Sequence, residues 1–99
     1  MGAKLVIAPE AAEDVRLAFG WYEDQRIGLG EEFLSSVDAC IQNIRRMPKV
    51  HAKVHQEYRR VLTRKFPYAV FCEYLEEAVY ILCVFHTSRR PESWRERLS

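Results

Sequence analysis

Long apolar runs are missing from this sequence: the longest, Ala78 to Phe85, is eight residues, against the roughly 20 needed to cross a membrane. The opening Met1-Gly2-Ala3-Lys4 leads into too few apolar residues for a secretory segment, so a cytoplasmic location is expected. Glycine is scarce, and the four present cannot form a phosphate-cradling loop. The three cysteines, Cys40, Cys72 and Cys83, are odd in number, lack CxxC spacing and sit in apolar runs, which reads as reduced buried thiols rather than a disulfide frame. His51, His55 and His86 have no cysteines at zinc-ligand spacing, and His51-x-x-x-His55 lacks the acidic neighbour and helical context of a metalloprotease. No metal or cofactor is therefore expected. Ser35-Ser36 and Ser88 lack the glycines of a nucleophile elbow. An excess of one charge is also lacking: 15 basic against 14 acidic residues excludes a protein that holds nucleic acid through bulk charge.

What is present is 99 residues, 48% hydrophobic and 29% charged, the make-up of one folded domain spanning 1–99. So short a chain buries only about 60–65% of its unfolded surface, and a 12% aromatic content helps it do so efficiently. The near-neutral total conceals a dipolar chain. Residues 1–50 carry six basic and eight acidic side chains; residues 51–99 carry nine and six, with the basic ones clustered as Arg59-Arg60, Arg64-Lys65, Arg89-Arg90 and Arg95-x-Arg97.

The periodicity divides the chain. Lys4 to Ala8 suits a buried strand, and Pro9 opens a helix running to about Gln25, with Glu10, Glu13 and Asp14 near its N-terminus. Ala11, Val15, Ala18, Phe19 and Tyr22 form its core stripe. Leu17 and Trp21 lie off that stripe and either pack against the next helix or form an exposed docking strip. Gly28-Leu29-Gly30 breaks the chain. Phe33, Leu34, Val37, Cys40, Ile41, Ile44 and Met47 then keep helical spacing, with Arg45-Arg46 at the C-terminal end and Pro48 as the stop.

After a polar linker from Lys49 to Glu57 the period becomes two, giving strands Tyr58–Phe66, Tyr68–Leu75 and Ala78–His86, the last two joined by a turn at Glu76-Glu77. A two-residue turn pairs Tyr74 with Val79, Cys72 with Ile81 and Val70 with Cys83 on the face toward the helices. The opposite face carries Ala69, Phe71, Glu73, Tyr80, Leu82, Val84 and His86 and is a candidate binding surface. The tail from Thr87 is polar and basic except for Trp94 and Leu98, and could close in a helical turn. The expected fold class is α+β, in the order β-α-α-β-β-β, with an antiparallel helical hairpin on one face of a small antiparallel sheet.

Cutting RNA would require an acid, a base and a phosphate clamp. His86 is the best acid or base here, Arg60, Arg64 and Arg89 are the best clamps, and Glu73 is a second base on the sheet face assigned to His86. The structural alternatives are a hydrogen-bonded strand-end histidine and a Glu73 that pairs with an arginine. Phe66 and Tyr68 beside Arg64-Lys65 could stack on bases or belong to the core.

Three features resemble the ParE/RelE toxin superfamily across essentially the whole chain: Pro9-Glu10-Ala11-Ala12-Glu13-Asp14 with Trp21-Tyr22-Glu23, then Gly28-Leu29-Gly30-Glu31-Glu32-Phe33, then Tyr58-Arg59-Arg60-Val61-Leu62-Thr63-Arg64-Lys65-Phe66-Pro67-Tyr68 followed by His86-x-x-Arg89-x-Pro91-x-x-Trp94. The resemblance implies the toxin of a type II toxin–antitoxin pair, of the kind called plasmid stabilisation proteins, neutralised in a hetero-oligomer by a cognate antitoxin. ParE-like relatives inhibit DNA gyrase by binding; RelE-like relatives are ribosome-dependent mRNA endoribonucleases.

Two departures favour the first branch. Phe66-Pro67 stands where the ribonucleases have a basic residue at the start of the penultimate strand, and Trp94 stands where they tend to have Tyr. Arg90 also replaces the Asp that many ParE-like chains carry before the proline. A non-enzymatic gyrase inhibitor is therefore expected, with a ribonuclease and a non-toxic antitoxin-binding homologue as alternatives. The expected target-binding surface is Arg59, Arg60, Arg64, Lys65, Arg89, Arg90, Trp94 and Arg95; the expected antitoxin-binding residues are Leu17, Trp21, Phe71 and Tyr80; and a ribonuclease would use His86, Arg89, Arg60, Arg64 and Glu73.

Overall fold

In the computed structural model, which describes residues 2–98, the chain runs β1 (Lys4–Ile7), α1 (Pro9–Gln25), α2 (Leu29–Arg46), β2 (Lys53–His55), β3 (Tyr58–Leu62), β4 (Tyr68–Leu75), β5 (Ala78–His86) and α3 (Pro91–Leu98). The strands form one sheet in the order β1-β5-β4-β3-β2. All neighbours are antiparallel except β1 and β5, so the α+β class holds with a mixed rather than purely antiparallel sheet.

The helical hairpin is built by the residues at its turn. Gly28 adopts φ 92°, a left-handed conformation that costs glycine little. The Glu23 carboxylate, at the end of α1, accepts hydrogen bonds from the Gly28 and Gly30 amides at 3.0 and 2.7 Å, capping the start of α2 from across the turn. Gly30 must be small: a Cβ there would lie 2.7 Å from Glu23 Cγ and from the Phe19 ring. At the far end, Arg45 and Arg46 complement the α2 dipole before Pro48.

The sheet departs from the expected one in three places. The linker contributes a strand, β2, whose Lys53 and His55 pair with Arg59 and Tyr58 around a turn in which Gln56 takes φ 51°. Strand β3 stops at Leu62 rather than Phe66, because the Thr63 hydroxyl bonds the Phe66 and Tyr68 carbonyls and Lys65 takes φ 71°, folding the loop so that Phe66 packs on Tyr22 and Phe33. The β4–β5 hairpin has the expected two-residue turn, with Glu76 and Glu77 both at positive φ, but its ladder slips. Cys72 faces Ile81, yet Phe71 faces Cys83, leaving Leu82 as an extra residue on β5.

That bulge reverses the face of everything beyond it. Val70 pairs with Val84 instead of Cys83. Val70, Cys72, Val79, Ile81 and Val84 face the hairpin with Phe33, Val37, Cys40, Ile41 and Ile44, while Ala69, Phe71, Cys83 and Phe85 form a second cluster with Trp94 and Leu98 of α3. The second sheet face is thus partly roofed by α3 rather than open, with Trp94 stacked on Phe71 at 5.0 Å.

Candidate functional site

Strand β1 pairs with only the first four residues of β5, so the β5 edge from Leu82 onward has no strand beside it. Its amides need other partners. Asp14 of α1 supplies one, accepting from the Val84 N–H at 3.0 Å, and is itself held by Arg97 of α3. Where α1 and this end of β5 diverge, a groove of about 270 Å³ opens, lined by Asp14, Leu17, Ala18, Trp21, Tyr68, Val84, Phe85, His86 and Arg89.

Leu17 and Trp21 form the outer lip. Each is 59% exposed, so the pair is an exposed apolar strip rather than part of the buried helix packing. Tyr68 and His86 face each other across β4 and β5, their rings 5.3 Å apart edge to face. Burial and the neighbouring Tyr22 push the Tyr68 hydroxyl above its usual pKa against the opposing pull of Arg89, so it remains a protonated donor at neutral pH. Arg89 lies 4.1 Å from the Phe85 ring, and no carboxylate pairs with it among the described residues.

His86 is fixed by its own turn. Its Nδ1 accepts the Ser88 backbone N–H at 3.0 Å, which assigns the proton of the neutral ring to Nε2. The imidazole therefore presents a donor to the groove, and its lone pair is already occupied.

The other expected site residues lie elsewhere. Glu73 and Arg60, opposite Tyr80 and Phe71, share the α3 face. Because the bulge at Leu82 returns His86 to the hairpin face, Glu73 and His86 are on opposite sides of the sheet, not on one side as the uninterrupted alternation implied. Arg64 sits in the β3–β4 loop, its carbonyl accepting from the Ser36 hydroxyl of α2. The five proposed ribonuclease residues thus contribute only His86 and Arg89 to the groove.

The basic surface is similarly dispersed. Arg59 turns inward and donates to the His51 and Lys49 carbonyls at 2.5 and 3.4 Å, holding the loop before β2. Arg64 and Lys65 belong to the β3–β4 loop, while Arg89 and Arg90 follow β5. Trp94 is buried, with the Arg95 guanidinium 5.3 Å from its ring. Phe71, expected to meet an antitoxin, is 1% exposed beneath Trp94, and Tyr80 is half-buried. Asp14 and Tyr68 are the polar groove residues outside the expected site sets, Tyr68 having been expected only to stack on bases or join the core. Extending the register found in the structure would have placed Tyr68 against His86, but unbroken pairing from the turn sets it one residue off.

Among the described residues, no cluster of histidine, cysteine, aspartate or glutamate is gathered that could hold a metal ion, and no helix is long and apolar enough to cross a membrane.

Sequence comparison matches residues 5–91 to the ParE toxin of the type II toxin–antitoxin system parDE. The chain belongs to the ParE toxin family. In fold it resembles a chain of the chromosomal ParDE toxin–antitoxin system from P. aeruginosa, with a TM-score of 0.75 at 11% identity over 85% of this chain and 95% of that one. It is also similar to the E. coli RelE toxin: a free-state mutant with two arginines replaced by alanine aligns with a TM-score of 0.69 at 14% identity over 99% and 96% of the two chains. The isolated E. coli toxin gives 0.65 at 16% over 97% and 95%. No curated protein matches significantly. These likenesses establish that the ParE-family chain has the architecture common to both toxin branches.

Proposed function

We propose that this ParE-family toxin acts in the bacterial cytoplasm by binding and inhibiting DNA gyrase, with no chemical step of its own, and that a cognate antitoxin neutralises it. The observation that carries the non-enzymatic reading is the Ser88 N–H on His86 Nδ1. A general base needs an available lone pair, and the imidazole has its only one engaged; protonating Nδ1 would set two N–H groups against each other. The separation of Glu73, Arg60 and Arg64 from His86 removes the other base and two of the clamps. Leu17 and Trp21, both exposed on α1, support antitoxin docking there.

In the test, purified protein is added to a gyrase supercoiling assay and, separately, to ribosomes stalled on messenger RNA. Inhibited supercoiling, unchanged by His86→Gln, is expected. Cleavage of the messenger that disappears in both His86→Ala and Arg89→Ala would establish the ribonuclease instead. That reading draws on the meeting of Tyr68, His86 and Arg89 in one groove. Expression without growth arrest would leave only an antitoxin-binding homologue.

A further inference from the structure

Helix α2 and the end of β3 do not close on one another. The α2 face turned toward β3 carries Ser36, Ala39, Cys40 and Asn43, at spacing i, i+3, i+4 and i+7, and all four side chains are short. Strand β2 pairs with β3 only at Arg59 and Tyr58, so Val61 and Leu62 have no strand on their outer side. The result is a cleft of about 490 Å³, within the range of about 300–1,000 Å³ typical of small-molecule sites. It shares no lining residue with the groove beside α1. Its floor is apolar, because the Cys40 thiol directs its proton to the Val61 and Leu62 carbonyls, at 4.0 and 3.8 Å, rather than into the cleft.

The rim, by contrast, is made of donors. Arg64 is held at the mouth by its carbonyl, which accepts from the Ser36 hydroxyl, and its exposed guanidinium pairs with no carboxylate among the described residues. The Asn43 side-chain oxygen accepts from Arg46, which leaves its NH₂ unpartnered, and the His51 ring likewise has no hydrogen bond among the described residues. No acidic residue lines the cleft. Behind the His51 carbonyl lies Arg59, whose Nε is buried without a partner and whose charge no carboxylate offsets among the described residues. Unpaired donors and unbalanced positive charge over an apolar floor call for an anion with an apolar body. We infer that this cleft binds a small organic carboxylate, its charged end on the Arg64 fork and the His51 and Asn43 N–H groups, its apolar body on Cys40, Val61 and Leu62. One accessible guanidinium matches one carboxylate bidentately and leaves the second charge of a phosphate monoester unpaired. A divalent cation would find no carboxylate ligand here. The chemistry of the cleft is independent of which target the toxin meets.

The probes are hexanoate and phenylacetate, their neutral amides, acetate and inorganic phosphate. Each is titrated to about 10 mM into the isotopically labelled full chain, which covers the millimolar affinities of ligands this small. Binding is read from the Ala39 and Leu62 methyls, the Asn43 side-chain amide and the His51 ring, while Trp21 and Trp94, which do not line the cleft, check that the fold is intact. Hexanoate or phenylacetate should shift the cleft resonances saturably, about ten-fold or more tighter than its amide and than acetate. Arg64→Gln, in an exposed loop position, and Ala39→Leu, which fills the cleft from an exposed helix position, should each weaken that binding about ten-fold or more and leave the two tryptophan signals in place. Equal binding of acid and amide, no saturable shift at the cleft, or binding indifferent to both variants would overturn the inference. Acetate or phosphate binding as tightly as the larger carboxylates would reduce the cleft to an adventitious anion contact and overturn it too.

Discussion

Arg97 grips Asp14 with both terminal nitrogens, at 3.1 and 3.0 Å, and so joins the last helix to the first across 83 positions of sequence. The contact lifts the Arg97 pKa further above its already high value, chiefly through the hydrogen bonds from its guanidinium to Asp14. Because Asp14 also accepts the Val84 amide, the pair closes the open edge of β5 and ties down α3 together.

Replacing Asp14 by Ala should therefore cost more than a surface ion pair does, about 1–3 kcal/mol, since it leaves a mostly buried amide and a guanidinium without acceptors. Asp14→Asn, which can still accept from Val84, should cost less. Urea denaturation measures both. Detachment of α3 should appear as a red shift of Trp94 fluorescence in a Trp21→Phe background; unchanged emission in Asp14→Ala would show that the apolar seating of Trp94 and Leu98 holds α3 alone.

Gly30→Ala should destabilise the protein by about 1–3 kcal/mol, because the added methyl meets the Phe19 ring and the Glu23 stem that caps the turn. Gly20→Ala, where a Cβ meets nothing within 4 Å, is the control and should be neutral or slightly stabilising in its helix. Thermal melts of the two variants side by side decide the point.

Glu76 and Glu77 both occupy positive φ, a pair of conformations that Asn-Gly adopts far more readily. The double change Glu76→Asn, Glu77→Gly should raise stability by about 0.5–2 kcal/mol without altering the hairpin register. A lower denaturation midpoint would mean that the two glutamates make contributions beyond the turn.

Burial pushes the thiols of Cys40 and Cys72 up to about 11 and that of Cys83 to about 12. All three should resist a thiol reagent at pH 8 in the native protein and react on unfolding. The linkage has a definite sign. Below the unfolded thiol pKa, near 8.5, both states are protonated and stability is independent of these groups. Above it the unfolded chain ionises first, so stability should fall as pH rises toward the folded values, by up to about 1.4 kcal/mol per pH unit for each thiol. Denaturation midpoints from pH 7 to 10 test this, and replacing Cys83 by Ala should flatten the slope.

The helical hairpin was legible because α1 and α2 bury one stripe each and Gly28 and Pro48 mark their limits. Strand β2 was hidden because Lys53, Val54 and His55 have no buried face, and their turn carries Gln56 where a glycine would have signalled it. The bulge was hidden for the opposite reason. Both faces of β5 are apolar, so sliding the alternation by one residue changes no visible contrast between wet and dry. At the groove, Leu17 and Trp21 stood out as apolar residues off the core stripe, and His86 and Arg89 by their chemistry. Tyr68 depended on the bulge, and Asp14 on a partner at the other end of the chain.

Leu82 works as a phase shifter. Along β5 the residues before it keep time with the turn at Glu76-Glu77, and the residues after it keep the opposite beat, so one inserted position sends Phe85 to α3 and His86 to the groove. The far end of the strand can thus be re-aimed by gaining or losing a single residue while the pairing nearest the turn stays in step. In that one position this chain sets which side chains each face of its sheet displays, without any change to the scaffold that displays them.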